Sequence, residues 1–289
     1  MRIPRIPPKR LLFSGGGIRV IAYLGVLSVL EEEQLLKHVR EFCGVSAGAF
    51  VATMLALGYS LPVIQRFCFE YDFTGLRNIE PESLLEFTET FGIDDGNKLQ
   101  MLIEKLLKHK HLPPNTTFRD VPNLRIWAAD LQSAELIEFN KDTTPDIEIR
   151  FGLRASMAFP LYYVPLKHPV TQHLLADGGV YDNYPMLSLS PEQQEETIGI
   201  VFEWSKFPID IPDISKYISL LFSGYYMPSY QALIRQHRNK TIVIPCGEFP
   251  VLHFEASLEE KRGLVDCGRK ATVDFLQTST KIARRASTS

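Results

Sequence analysis

The stretch VREFCGVSAGAFVATMLAL, residues 39–57, decides the fold. Val39 to Val45 is a short apolar run cut by Gly44, and Ala47 to Leu57 is a run of small and long apolar side chains of helical length. A predicted strand therefore passes into a predicted helix through one sharp turn, Gly44-Val45-Ser46-Ala47-Gly48, whose small residues flank a serine. The same order precedes it. Leu11 to Ser14 reads as a buried strand, Gly15, Gly16 and Gly17 as a turn, and Ile18 to Glu33 as a helix. Strand, turn and helix twice in succession predict an α/β fold, with a mainly parallel central sheet flanked by helices and functional loops at the carboxyl ends of its strands.

Beyond this unit, Leu61 to Leu112 is mostly helical in pattern, punctuated by Pro62, Pro81 and Pro113-Pro114, and is expected to cap the sheet. Strands are predicted at Leu124 to Leu131, Glu135 to Asn140, Gln172 to Ala176, Thr197 to Trp204 and Thr241 to Pro245. Helices are predicted near Ile147 to Met157 and around Ile214 to Phe222, Tyr230 to Arg238 and Leu258 to Ala283. Trp127 and Trp204 fall in strands and are read as core. No repeat or linker divides the chain, so one domain over 1–289 is expected.

With 289 residues, 45% hydrophobic and 22% charged, the chain can bury a large core. Its longest nearly pure apolar stretch, Val20 to Leu30, is about half of what a membrane-spanning helix requires. The N-terminus is broken by Pro4, Pro7 and Pro8 and has no secretory pattern. Cys43, Cys68, Cys246 and Cys267 lie far apart in mostly apolar surroundings, as reduced structural thiols do. These features predict an intracellular, cytoplasmic protein. A net charge of −3 supplies no basic field for a phosphate backbone, so nucleic acid is not an expected partner. The basic tail at 281–289 reads as a solvated terminus.

Three constellations carry chemistry. The GxSxG at 44 to 48 reads as a nucleophile elbow: the tight turn exposes the Ser46 hydroxyl, requires near-absent side chains at Gly44, Ala47 and Gly48, and aims a helix N-terminus at developing negative charge. Gly15, Gly16 and Gly17, followed by Ile18 and Arg19, expose a run of N–H groups suited to a phosphate or an oxyanion. A dinucleotide site is the rival, but Val20 leaves GxGxxG incomplete and no GK[ST] is present. An oxyanion hole paired with Ser46 accounts for both loops. Asp177, with Gly178 and Gly179, follows the apolar strand end Leu174-Leu175-Ala176, from which a carboxylate can reach a serine on a neighbouring strand.

Together GGGIR at 15 to 19, GVSAG at 44 to 48, ASMAFP at 155 to 160 and DGGVYDNYP at 177 to 185 resemble the patatin-like phospholipases over roughly residues 10 to 205. The resemblance implies a three-layer fold and a lipid acyl hydrolase of phospholipase A or lysophospholipase type. It further implies a catalytic dyad of Ser46 and Asp177, an oxyanion hole at Gly15 to Gly17, and no metal or other cofactor. Ala155 to Pro160 is similar to the family's loop beside the site, and Asn183 and Pro185 match the stretch after its aspartate. Two positions depart from the pattern: Val20 stands where glycine is usual, and Asp182 where asparagine is usual. A member that binds lipid or a protein partner without turnover, a neutral-lipid esterase, and a requirement for a protein activator all stay open.

A Ser-Asp-His triad would need His237 or His253 as base. Chain arithmetic opposes it, because forty-five residues before the serine hold too few strands and crossovers for that fold. His109 and His111 read as a solvated helix end. Lipid substrates imply peripheral contact with a membrane surface. The cluster Leu220-Leu221-Phe222, Tyr225-Tyr226-Met227 and Tyr230 could serve that contact or pack in the core.

Overall fold

The computed structural model of the chain describes residues 7–203, 220, 229–247 and 249–286. Its strands are β1 (Arg10–Phe13), β2 (Glu41–Val45), β3 (Gly92–Asp94), β4 (Leu124–Asp130), β5 (Glu135–Phe139), β6 (Leu161–Tyr163), β7 (Leu166–Lys167), β8 (Leu174–Asp177), β9 (Thr197–Phe202) and β10 (Thr241–Ile244). Its helices are α1 (Tyr23–Glu32), α2 (Ala47–Ala56), α3 (Leu61–Glu70), α4 (Pro81–Leu85), α5 (Phe87–Thr90), α6 (Asn97–His109), α7 (Ile149–Ser156), α8 (Pro191–Glu195), α9 over 229–236 and α10 (Leu258–Ala286).

Leu11, Leu12 and Phe13 of β1 are all fully buried, so apolar side chains leave both faces of the strand. That is the signature of a parallel strand covered on both sides. β10, β9, β1, β2 and β4 run parallel in that order. One face packs Leu11, Phe13, Ile126 and Ala128 against α1, α2, α7 and α10. The other packs Leu12, Cys43, Val45, Trp127 and Val201 against Tyr184, Met186 and Leu189, with Tyr230 and Leu233 of α9. Helices and sheet therefore form three layers. Near the starts of β1, β2 and β4 and the end of the antiparallel β5, Arg10, Glu41, Arg125 and Glu138 alternate in charge, each paired with the next. This mutual pairing makes half-buried charges tolerable there.

The registers around β4 position the site. Ile126 and Trp127 pair with β2 and with β5; Ala128, Ala129 and Asp130 pair with β5 and with β8. A strand residue has only two edges, so β5 occupies one edge of β4 while β2 and β8 share the other. β2 is parallel to β4 and β8 antiparallel, with Val45 opposite Trp127 and Asp177 opposite Ala128. The carboxyl ends of β2 and β8 consequently meet head-on. Asp177 was expected to reach the serine from a neighbouring strand of a parallel sheet; it arrives instead from an antiparallel strand in line with the serine's own.

Most predicted elements form within a few residues of their expected bounds. The helix expected from Ile18 begins as a 3-10 turn, Gly17–Ala22, before α1, because Gly17 is left-handed at φ 54° and Ile18 N–H is drawn to the Val251 carbonyl at 2.9 Å. The cap is not wholly helical: β3 pairs in parallel with β6, two three-residue strands too short to show a period. Trp204 and most of the expected helix Ile214 to Phe222 lie outside the described residues, as does the 220–230 aromatic cluster apart from Leu220 and Tyr230. Tyr230 is core, and its hydroxyl donates to the Phe202 carbonyl at 3.1 Å. No described helix is long and apolar enough to cross a membrane.

Candidate active site

Ser46 is the single residue between β2 and α2, with φ 55° and ψ −132°. A non-glycine residue there is strained by roughly 1–3 kcal/mol, and the strain throws its side chain clear of both elements. The turn closes only because Gly44 and Gly48 lack side chains: a Cβ on Gly44 would lie 2.5 Å from the Gly48 carbonyl oxygen, and one on Gly48 2.4 Å from that of Ser14. Ala47, buried, opens the helix behind the serine.

Ser46 Oγ donates to Asp177 Oδ2 at 2.5 Å. The other carboxylate oxygen accepts the Gly179 N–H at 2.8 Å, and the Asp177 N–H donates to the Ala158 carbonyl at 2.9 Å. Gly178 lies beneath the Trp127 carbonyl, where a Cβ would come within 2.6 Å. Asp177 is almost fully buried, and burial pushes its carboxyl up to about 6, against the lowering effect of the Ser46 and Gly179 hydrogen bonds. No imidazole stands between serine and carboxylate. His253 lies near Glu255 and Glu260, and His237 is buried, its Nε2 without a hydrogen-bond partner among the described residues.

The glycine turn packs on the same serine, since a Cβ on Gly15 would sit 2.9 Å from Ser46 Cβ. Its three N–H groups are not equivalent. Gly15 N–H donates to Asn183 Oδ1 at 3.0 Å, while those of Gly16 and Gly17 have no hydrogen-bond partner among the described residues. Arg19 faces elsewhere: its Nε donates to the Phe249 carbonyl at 2.6 Å. Together with the Ile18–Val251 bond this pins residues 249–251 onto the glycine turn, a contribution from the C-terminal third that no motif announced. Asp182 Oδ1 accepts the Tyr184 N–H at 2.8 Å, a task an asparagine oxygen performs equally well. Within the 155 to 160 stretch expected beside the site, Ser156, at the end of α7, accepts the Ser46 N–H at 2.9 Å, a contact the sequence reading did not single out.

Comparison with known proteins follows the same residues. The Patatin-like phospholipase family profile matches residues 11–190, from β1 past Asp177. An uncharacterized protein of Acanthamoeba polyphaga mimivirus is 30% identical over 275 residues, 91% of this chain and 92% of the relative. A probable lipid hydrolase of Invertebrate iridescent virus 6 is 25% identical over 183 residues, 62% of each chain. Among solved structures, VipD from Legionella pneumophila shares the fold with a TM-score of 0.67 at 20% identity, over 96% of this chain and 68% of VipD. The profile takes in both glycine turns, the serine elbow and the aspartate, and so the chain belongs to the patatin-like phospholipase family.

Proposed function

We propose that the protein is a serine carboxylic-ester hydrolase that cleaves fatty-acyl esters of lipids, as a phospholipase A or lysophospholipase does, through a Ser46–Asp177 dyad. The direct contact of Ser46 Oγ with a carboxyl group raised to about 6 carries this reading. An exposed carboxylate of pKa about 4 is a poor base toward a hydroxyl. Raising it to about 6 adds on the order of 3 kcal/mol of proton affinity and still leaves it ionised at neutral pH.

In the first half-reaction Asp177 takes the hydroxyl proton as Ser46 Oγ attacks the ester carbonyl. The unpartnered N–H groups of Gly16 and Gly17 and the N-terminus of α2 favour the oxyanion that forms. Collapse expels the alcohol, which carries off the proton from Asp177, and leaves an acyl-serine. Water then attacks that ester, giving its proton to Asp177, which returns it to Ser46 as the fatty acid departs.

Lipid esters are met in aggregates, and the cap supplies an apolar edge for that encounter. Leu84, Leu85 and Phe91 are 61%, 84% and 51% exposed. Gly92, next to Phe91, pairs with the exposed Leu161, three residues after the Ala158 whose carbonyl holds Asp177. The deciding test is fatty-acid release from phospholipid vesicles and mixed micelles by wild type and Ser46→Ala with a chelator present. Serine-dependent release is expected; none from any phospholipid or neutral lipid would overturn the proposal.

A further inference from the structure

The contact between Ser46 and Asp177 joins two strand ends that share no hydrogen bonds of their own ladder, so something else must fix the height and orientation of each. The segment 154–158 does so from one side. Ser156 Oγ accepts the Ser46 N–H at 2.9 Å, and two residues later the Ala158 carbonyl accepts the Asp177 N–H at 2.9 Å. One turn of chain thus grips the backbones of both residues.

That turn is itself immobilised. Ser156 is completely buried as the last residue of α7, and Ala155 and Ala158 are buried beside it. Two residues earlier Arg154, 2% exposed, donates through Nη2 to the carbonyls of Asp95 (3.0 Å) and Val164 (3.1 Å) and lies over the Tyr163 ring at 4.8 Å. Its guanidinium fills the space over Gly96, where a Cβ would come within 2.0 Å. The last turn of α7 is therefore fixed to the cap through Arg154 and to the nucleophile through Ser156.

We infer that Ser156 is a positioning residue for the nucleophile, an inference that rests on the dyad reading above. The N–H of Ser46 belongs to the peptide plane that sets φ at this residue, and the carbonyl of Ser46 is already engaged by Ala49 N–H at 2.9 Å. The Ser156 hydroxyl holds the other side of the residue. Without it the strained turn loses a fixed N–H acceptor, the peptide plane is free to rotate, and Oγ swings off Asp177. Ser156 does not touch the ester: its oxygen is buried behind the backbone of Ser46.

Ser156→Ala and Ser156→Thr separate this role from simple packing. Leaving a buried N–H unpaired costs about 1–3 kcal/mol, and the same amount lost from the transition state lowers kcat about 5- to 150-fold for Ser156→Ala. KM for a soluble ester should stay within about twofold, and Ser156→Thr, which keeps the oxygen, should recover most of the rate. Hydrogen exchange at the Ser46 amide provides a readout that needs no turnover: protection falls about tenfold or more in Ser156→Ala and returns in Ser156→Thr. Should Ser156→Thr prove too large for the site, Ser156→Cys, with a weaker acceptor, should fall between wild type and alanine in both readings. Wild-type kcat in Ser156→Ala, or a lost rate with undiminished Ser46 protection, would overturn the inference. An inactive wild type would defeat the hydrolase reading, while the exchange measurement would still report on the bond.

Discussion

Gly15 and Asn183 hold each other in both directions: the Gly15 N–H donates to Asn183 Oδ1 at 3.0 Å, and Asn183 Nδ2 donates to the Gly15 carbonyl at 3.1 Å. This two-point clamp joins the first glycine turn to the loop that follows Asp177. It also engages one of the three glycine N–H groups, leaving those of Gly16 and Gly17 without a partner among the described residues and, on the proposed mechanism, available to the oxyanion. Asn183→Asp removes the donor and sets a negative charge beside the developing one. Its kcat should drop about 10²- to 10³-fold with a smaller change in KM. Steady-state kinetics of an Asn183→Asp enzyme with unimpaired kcat would show that the clamp does not set oxyanion geometry.

The pH profile should carry the mark of a buried base. In the proposed mechanism Asp177 works ionised; burial pushes its carboxyl up to about 6, so kcat/KM should be flat near neutrality and fall toward tenfold per pH unit below about 6. Rates on a soluble ester between pH 4 and 8 decide the matter. A midpoint near 4, where exposed aspartates titrate, would mean that the carboxyl is solvated during turnover.

The same burial makes Asp177 a cost to stability. Its folded pKa, about 6, lies above the ordinary 3.8, so the stability it allows is complete below about pH 4 and is lost as pH rises through about 6. Asp177→Asn should therefore lose turnover by about 10³-fold while gaining on the order of 1–3 kcal/mol at pH 8. Denaturant melts of the two proteins at pH 8 give the comparison. Appreciable residual activity would argue for a different base.

The exposed cap leucines give a prediction specific to aggregated substrate. Leu84→Gln with Leu85→Gln removes two apolar side chains, each worth about 1.5–3 kcal/mol when taken from water into lipid. Hydrolysis of vesicle lipid should fall about 10- to 100-fold, with turnover of a soluble short-chain ester unchanged. Equal losses on both substrates would place these leucines in the acyl site or in folding rather than at the surface.

Much of this site was legible in the sequence because its demands on residue type are severe. A strand that must turn within one residue needs Gly44 and Gly48, and a loop that must pack on Ser46 needs Gly15. What could not be read is what depends on pairing between distant segments. The antiparallel direction of β8 is invisible in Leu174 to Asp177, since four apolar-to-acidic residues look alike in either direction. The β3–β6 pair is set by left-handed turns at Phe91 and Leu161, residue types that do not advertise positive φ. Ser156 lies in the 155 to 160 stretch read as a loop beside the site, but its bond to the Ser46 N–H could not be read, because a serine at a helix end is ordinary until its buried partner is known.

The head-on meeting of β2 and β8 along β4 has a consequence for how the protein comes into being. A chain leaving the ribosome has its nucleophile 131 residues before its carboxylate. Nothing local can pair them, because each must first find its own part of β4. On the reading offered above, hydrolytic competence belongs only to the finished sheet, and an incomplete or partly opened molecule carries a serine with no base. Such a site is assembled by pairing between distant segments of the chain, through their common strand β4, rather than by any local turn.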